Sequence, residues 1–106
     1  MAFGVSKEEL AAWKKEVAAG RIAFLTHYWL HPKFPEITSV TKVGCSDLDR
    51  LRRWAISHGL SPQYIHHRDR YPHYDIFGEM QAVILEKEEQ WEQLRKFVRK
   101  DRPSSL

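Results

Sequence analysis

Hydrophobic positions along the chain follow two periods. Over residues 6–20, Leu10, Trp13 and Val17 fall on one helical face. Ser6 with Glu9 three places on forms a capping box, and Gly20 can take the left-handed conformation that ends a helix. Residues 21–30 are apolar and increasingly aromatic, and His31-Pro32 closes them, so they predict a strand. Strand alternation would put His27, Trp29 and His31 on one side and Phe24, Thr26 and Tyr28 on the other.

Residues 32–45 form a connection in which the β-branched, alternating run 37–43 predicts a short edge strand. A second helix is expected over 47–58, with Ser46 as N-cap, Leu48, Leu51 and Ala55 inward and Gly59 as its close. A strand over 63–68 follows, then a turn over 69–75 that contains Pro72. The apolar run 76–86 predicts a further strand or strand pair, with Gly78 as a bulge. The last helix is expected over 87–100, with Trp91, Leu94 and Val98 as its stripe, acids early and bases late.

This order predicts an α/β fold: a small single domain, two or three layers deep, spanning 1–106 with a core at about 6–100 and a frayed tail at 101–106. Its centre would be a right-handed βαβ crossover of strand 21–30, helix 47–58 and strand 63–68, flanked by the terminal helices. Parallel strands would gather His27, His31, His67 and the start of the second helix at one sheet edge, where α/β folds bind ligands.

Composition narrows the class. Apolar residues make up 42% and charged residues 29%, no run approaches a membrane span of about 20 residues, and the N-terminus lacks a signal-peptide pattern. One cysteine excludes an internal disulfide, so a cytoplasmic protein is expected. Residues 21–74 carry eight Lys/Arg against four acids, together with all six histidines. That balance favours an anionic partner, although a solvated surface would account for it as well.

The densest chemistry lies in residues 64–78, with three histidines, two arginines, two aspartates and three tyrosines. An aspartate beside a histidine fixes the ring tautomer and raises its basicity, which marks His73 and Asp75, with His27, as candidate catalytic groups. The bland alternative is a turn in which Asp75 accepts main-chain N–H groups. Arg68 and Arg70 could fork onto phosphate or carboxylate, with His67, His31 and Tyr74 as further ligand contacts. His66 and His67 are adjacent, so in a strand only one can face the site, and His67 is preferred. A divalent metal fits these groups without being required by them. Cys45, just before a helix start, could be a nucleophile, but an inert buried thiol is the better expectation.

The residues Thr26-His27-Tyr28-Trp29, Trp54 through Gly59-Leu60 and Pro72-His73-Tyr74-Asp75 resemble an uncharacterised bacterial family, domain of unknown function 4031. The resemblance covers residues 21–80 and implies a small cytoplasmic α/β protein. It implies no activity. The helix over 6–20 and the His31-Pro32-Lys33-Phe34-Pro35 insert depart from it.

The leading expectation is a site for a phosphate-bearing or other anionic small molecule, with metal-assisted or histidine acid/base hydrolysis as its chemistry. A second is a nucleic-acid module that stacks bases on Tyr28, Trp29, Phe34, Tyr64, Tyr71 and Tyr74 beside Arg50, Arg52, Arg53, Arg68 and Arg70. A third is a non-enzymatic interaction subunit with the aromatic residues as its interface.

Overall fold

The computed structural model describes residues 4–67 and 71–98. In chain order it contains α1 (Lys7–Ala18), β1 (Ala23–Tyr28), β2 (Ser39–Gly44), α2 (Leu48–Ser57), a 3-10 turn (Pro62–Tyr64), β3 (His73–Ile76), α3 (Gly78–Lys87) and α4 (Trp91–Gln93), which runs on into a π-helical turn at Leu94–Val98. The protein is mixed α/β, as expected from its pattern.

The sheet has the order β1-β2-β3 and is antiparallel throughout. This overturns the βαβ crossover. β1 and β2 form a hairpin, extended past the strands by Trp29 N–H to Thr38 O at 2.9 Å and His31 N–H to Ile37 O at 3.1 Å. The run expected at the edge is therefore the central strand, paired on both sides, which is why it is β-branched and almost wholly buried. Of the strand expected at 63–68, the described residues 63–67 are not in a strand. Pro62 opens a 3-10 turn, and His66 alone reaches the sheet, through one antiparallel bridge to His73. The expected turn at 69–75 holds β3 in its second half.

The apolar run 76–86 is helical rather than extended from Gly78 onward. Glu79, Met80, Gln81, Ala82 and Leu85 are all good helix formers, and Gln81, Ile84 and Leu85 recur on the buried side at helical spacing. Gly78, at φ +70°, makes the sharp reversal from β3 into α3 rather than a bulge. The last helix begins later than expected, after Glu89 takes a left-handed turn at φ +56°. α1 keeps its capping box, and the N-cap of α2 is Asp47 rather than Ser46: its carboxylate accepts from Arg50 N–H at 3.1 Å.

Cross-strand partners share a face, so the pairing sorts the sheet into two surfaces. One carries Phe24, Thr26, Ser39, Thr41, Val43, Tyr74 and Ile76. It packs on Leu51 and Ala55 of α2 and Ile84 of α3, with Ile65 and Cys45 in the same core. A polar chain crosses this surface in one direction. Gln81 Nε2 donates to Thr41 Oγ1 at 3.0 Å, the Thr41 and Thr26 hydroxyls lie 2.6 Å apart, and Thr26 donates to Gln93 Oε1 at 2.6 Å. At the far end, Glu88 accepts from Trp54 Nε1 at 3.1 Å and lies 2.8 Å from His58 Nε2, which ties α2 to α3.

The opposite surface carries α1, giving three layers. Trp13 and Val17 pack on Ala23 and Leu25, and Trp13 Nε1 donates to Ala23 O at 3.1 Å. β1 has one unpaired margin. Since Trp29 N–H bonds to Thr38, alternation turns the main-chain groups of residues 24, 26 and 28 toward that margin. Two carbonyls there are taken by side chains: Phe24 O by Gln93 Nε2 at 3.0 Å and Tyr28 O by His27 Nδ1 at 3.0 Å. Among the described residues no helix is long and apolar enough to cross a membrane.

Candidate functional site

The surface under α1 also holds the polar groups. Register places Ala23, Gly44 and His73 in one row, and Leu25, Lys42 and Asp75 in the next. His27 lies opposite Val40 in the third, and Phe77, extended at φ −151°, continues β3 beside it. His27, distant in sequence from His73 and Asp75, thus stands on the same sheet face as they do. Antiparallel pairing brings them there, not the expected parallel edge.

Each buried imidazole is set by the main chain. His73 Nδ1 lies 2.9 Å from Tyr71 O, and His27 Nδ1 lies 3.0 Å from Tyr28 O. A carbonyl can only accept, so both rings carry their proton on Nδ1 and leave Nε2 as a bare lone pair. His27 is 8% exposed, and its Nε2 has no hydrogen-bond partner among the described residues. His73 Nε2 faces Asp75 Oδ1 at 3.7 Å, too far for a hydrogen bond, and Oδ1 is also buried without a partner. The other carboxylate oxygen, Oδ2, lies 3.2 Å from His66 Nε2.

His66 and His73 are further joined by main-chain bonds in both directions, at 2.8 and 3.0 Å, and by ring stacking at 5.2 Å. The edge of Trp13 closes over His73 at 6.4 Å, and Tyr71 packs on Trp13 under the Lys14 ammonium. Burial lowers the pKa of His73 below the ordinary histidine value; Tyr71 O and Asp75 oppose the shift, while Lys42 and His66 add to it. Burial likewise lowers His27, against the Tyr28 carbonyl and Asp75 and together with Lys42. The same Lys42 and Asp75 therefore act on both rings, and both rings are held neutral at physiological pH.

Below this set, Trp29, Phe34 and Phe77 surround His31, with ring centroids 5.0 to 5.2 Å from its imidazole. His31 Nδ1 accepts from the N–H groups of Lys33 at 3.0 Å and Phe34 at 3.2 Å, which folds the Pro32–Pro35 loop onto the sheet.

The other expected residues fall elsewhere. Tyr74 points into the opposite core and is 4% exposed, so it cannot be a ligand contact on this face. His67 is exposed; His66 is the member of the pair that meets Asp75, because residues 63–67 are not the regular strand on which that choice rested. Arg68 and Arg70 lie outside the described residues. Cys45 is fully buried and its thiol pKa is pushed up by burial, which makes it a core residue and not a nucleophile. Among the described residues no three His, Cys, Asp or Glu side chains are grouped to hold a metal ion, so metal-assisted hydrolysis finds no ligand set there. Of the rings proposed for base stacking, Tyr74 is buried and Tyr28 packs on Phe97, while Arg50 and Arg52 pair with Asp47 and Asp49. Lys42 and His66 were missed. The alternation of 37–43 was the available signal for Lys42, had the run been read as a strand paired on both sides.

Fold and face together define a small α/β protein whose three-stranded antiparallel sheet carries buried imidazoles, a lysine and an aspartate beneath one helix. No family model matches the chain, and no solved structure matches it. The chain is 50% identical over 97 residues to the uncharacterized protein YneQ of Bacillus subtilis (strain 168), a match that covers 92% of this chain and 98% of that protein. It belongs to the same uncharacterised family.

Proposed function

We propose that the face formed by His27, Lys42, His66, His73 and Asp75 binds a small anionic molecule and that His73 takes a proton from the water that attacks it and returns that proton to the leaving group. The observation that carries this reading is the pair of Nε2 atoms of His27, which is buried, and His73, which is half-buried, each on a ring whose proton is pinned to a main-chain carbonyl. An imidazole kept neutral by burial is ready to accept a proton at physiological pH, as a general base requires. Asp75 Oδ1 beside His73 Nε2 would stabilise the imidazolium once formed, since the new N–H would point at a carboxylate oxygen that lacks a partner. Lys42, in no ion pair among the described residues, supplies the positive charge for the ligand's anionic group.

Hydrolysis of a phosphate-bearing compound is the reaction class that fits a neutral base beside an anion site. The lone, buried cysteine suits a reducing, cytoplasmic setting.

Native mass spectrometry of freshly purified protein tests for a co-purifying anion, and calorimetry with inorganic phosphate tests the site directly. Lys42→Ala is expected to lose phosphate binding, while His73→Gln keeps the fold and loses any hydrolytic turnover of a phosphate ester. Phosphate binding that is unaltered in Lys42→Ala ends the assignment.

A further inference from the structure

We infer that the ligand of this face carries a planar unsaturated ring seated against the Phe34 and Phe77 side chains, so that its class is a nucleoside monophosphate or a compound of the same plan. This deepens the anion-site reading and rests on it. Three observations carry it. First, Phe77 continues β3 in the row of His27 and Val40, one row below Lys42 and Asp75. Adjacent rows are about 7 Å apart along a strand, a gap that a pentose bridges between a phosphate and a base.

Second, the rings are placed but not buried. Phe34 is 50% exposed and Phe77 38% exposed, although each is fixed against His31 at 5.0 and 5.2 Å. These two offer apolar surface to solvent beside the polar set, the layout of a ligand site with an apolar wall and a few convergent polar groups.

Third, the loop that presents Phe34 is held by a specific device. His31 Nδ1 accepts two successive loop N–H groups, and Trp29 backs the cluster through Phe77 at 5.5 Å. A pre-ordered ring loses little entropy on stacking.

The test compares adenosine 5′-monophosphate, ribose 5-phosphate and inorganic phosphate by calorimetry on the full chain, then on Phe34→Leu and Phe77→Leu. Base–aromatic stacking predicts that adenosine 5′-monophosphate binds about tenfold more tightly than ribose 5-phosphate, and that leucine at either position erases most of that ratio. Equal affinity for the two, or a ratio that survives in both variants, overturns the ring subsite alone. Absence of binding by all three probes overturns the anion site as well.

Discussion

The indole of Trp13 occupies the space in which a β-carbon on Gly44 would stand. A carbon built there comes within 2.6 Å of Trp13 Cζ2 and 2.8 Å of Val17 Cγ2. The absence of a side chain at the end of the central strand lets α1 settle on the sheet, and that contact also seals His73 beneath Trp13. Gly44→Ala is therefore expected to destabilise by about 1–3 kcal/mol through overpacking. Denaturant unfolding reads the loss, and the His73 ring resonances should shift in the same variant. An unchanged midpoint would mean that α1 does not press on Gly44.

Acid should destabilise the fold through the two buried imidazoles. Both are lowered by burial, so as pH falls below about 6.5 the unfolded chain binds protons that the folded chain resists. The stability contributed by keeping them neutral is complete above that pH and is lost as pH falls toward the folded-state values. Unfolding curves at pH 7.5 and 5.5 measure it. His27→Gln and His73→Gln should each reduce the acid loss, whatever they do to stability at neutral pH.

The directional chain from Gln81 through Thr41 and Thr26 to Gln93 is sensitive to the loss of one hydroxyl. Thr41→Val keeps the shape but removes one bond at each neighbour: Gln81 Nε2 keeps only its 3.3 Å bond to Ser39 Oγ, and Thr26 Oγ1 keeps only its bond to Gln93. Losing such a hydrogen bond costs about 0.5–1.5 kcal/mol each. A shift of that size in the thermal midpoint is the expected result, and Thr41→Ser should recover most of it.

Cys45 should be silent toward thiol reagents in the folded protein. It is fully buried and its thiol pKa is raised by the same burial, so little thiolate is available. Ellman's reagent at neutral pH should react only at the rate of unfolding, and at once in denaturant. Fast modification of the native protein would place the sulfur in solvent.

Much of the local structure was legible because it is governed by neighbours in sequence. Ser6 and Glu9 cap α1 through bonds three residues apart, and the apolar, increasingly aromatic run that His31-Pro32 closes contains the strand Ala23–Tyr28. The rest depended on which strands meet. Ser39–Gly44 has the β-branched content of any strand, and nothing within it says that it pairs on both sides. The run 76–86 is apolar enough to suit a strand or a buried helix, a case in which periodicity does not decide. His27, His73 and Asp75 were recognisable as chemistry by residue type. Their common face follows from an antiparallel register, and the partners Lys42 and His66 are visible only once that register is known.

The side-chain occupants of the β1 margin bear on how copies of the molecule behave toward one another. Exposed strand margins invite a second chain to add its own ladder. Here Gln93 and His27 already fill two of the acceptor positions such a ladder would need. The His27 imidazole thereby guards the rim of the sheet through Nδ1 against fusion with its neighbours.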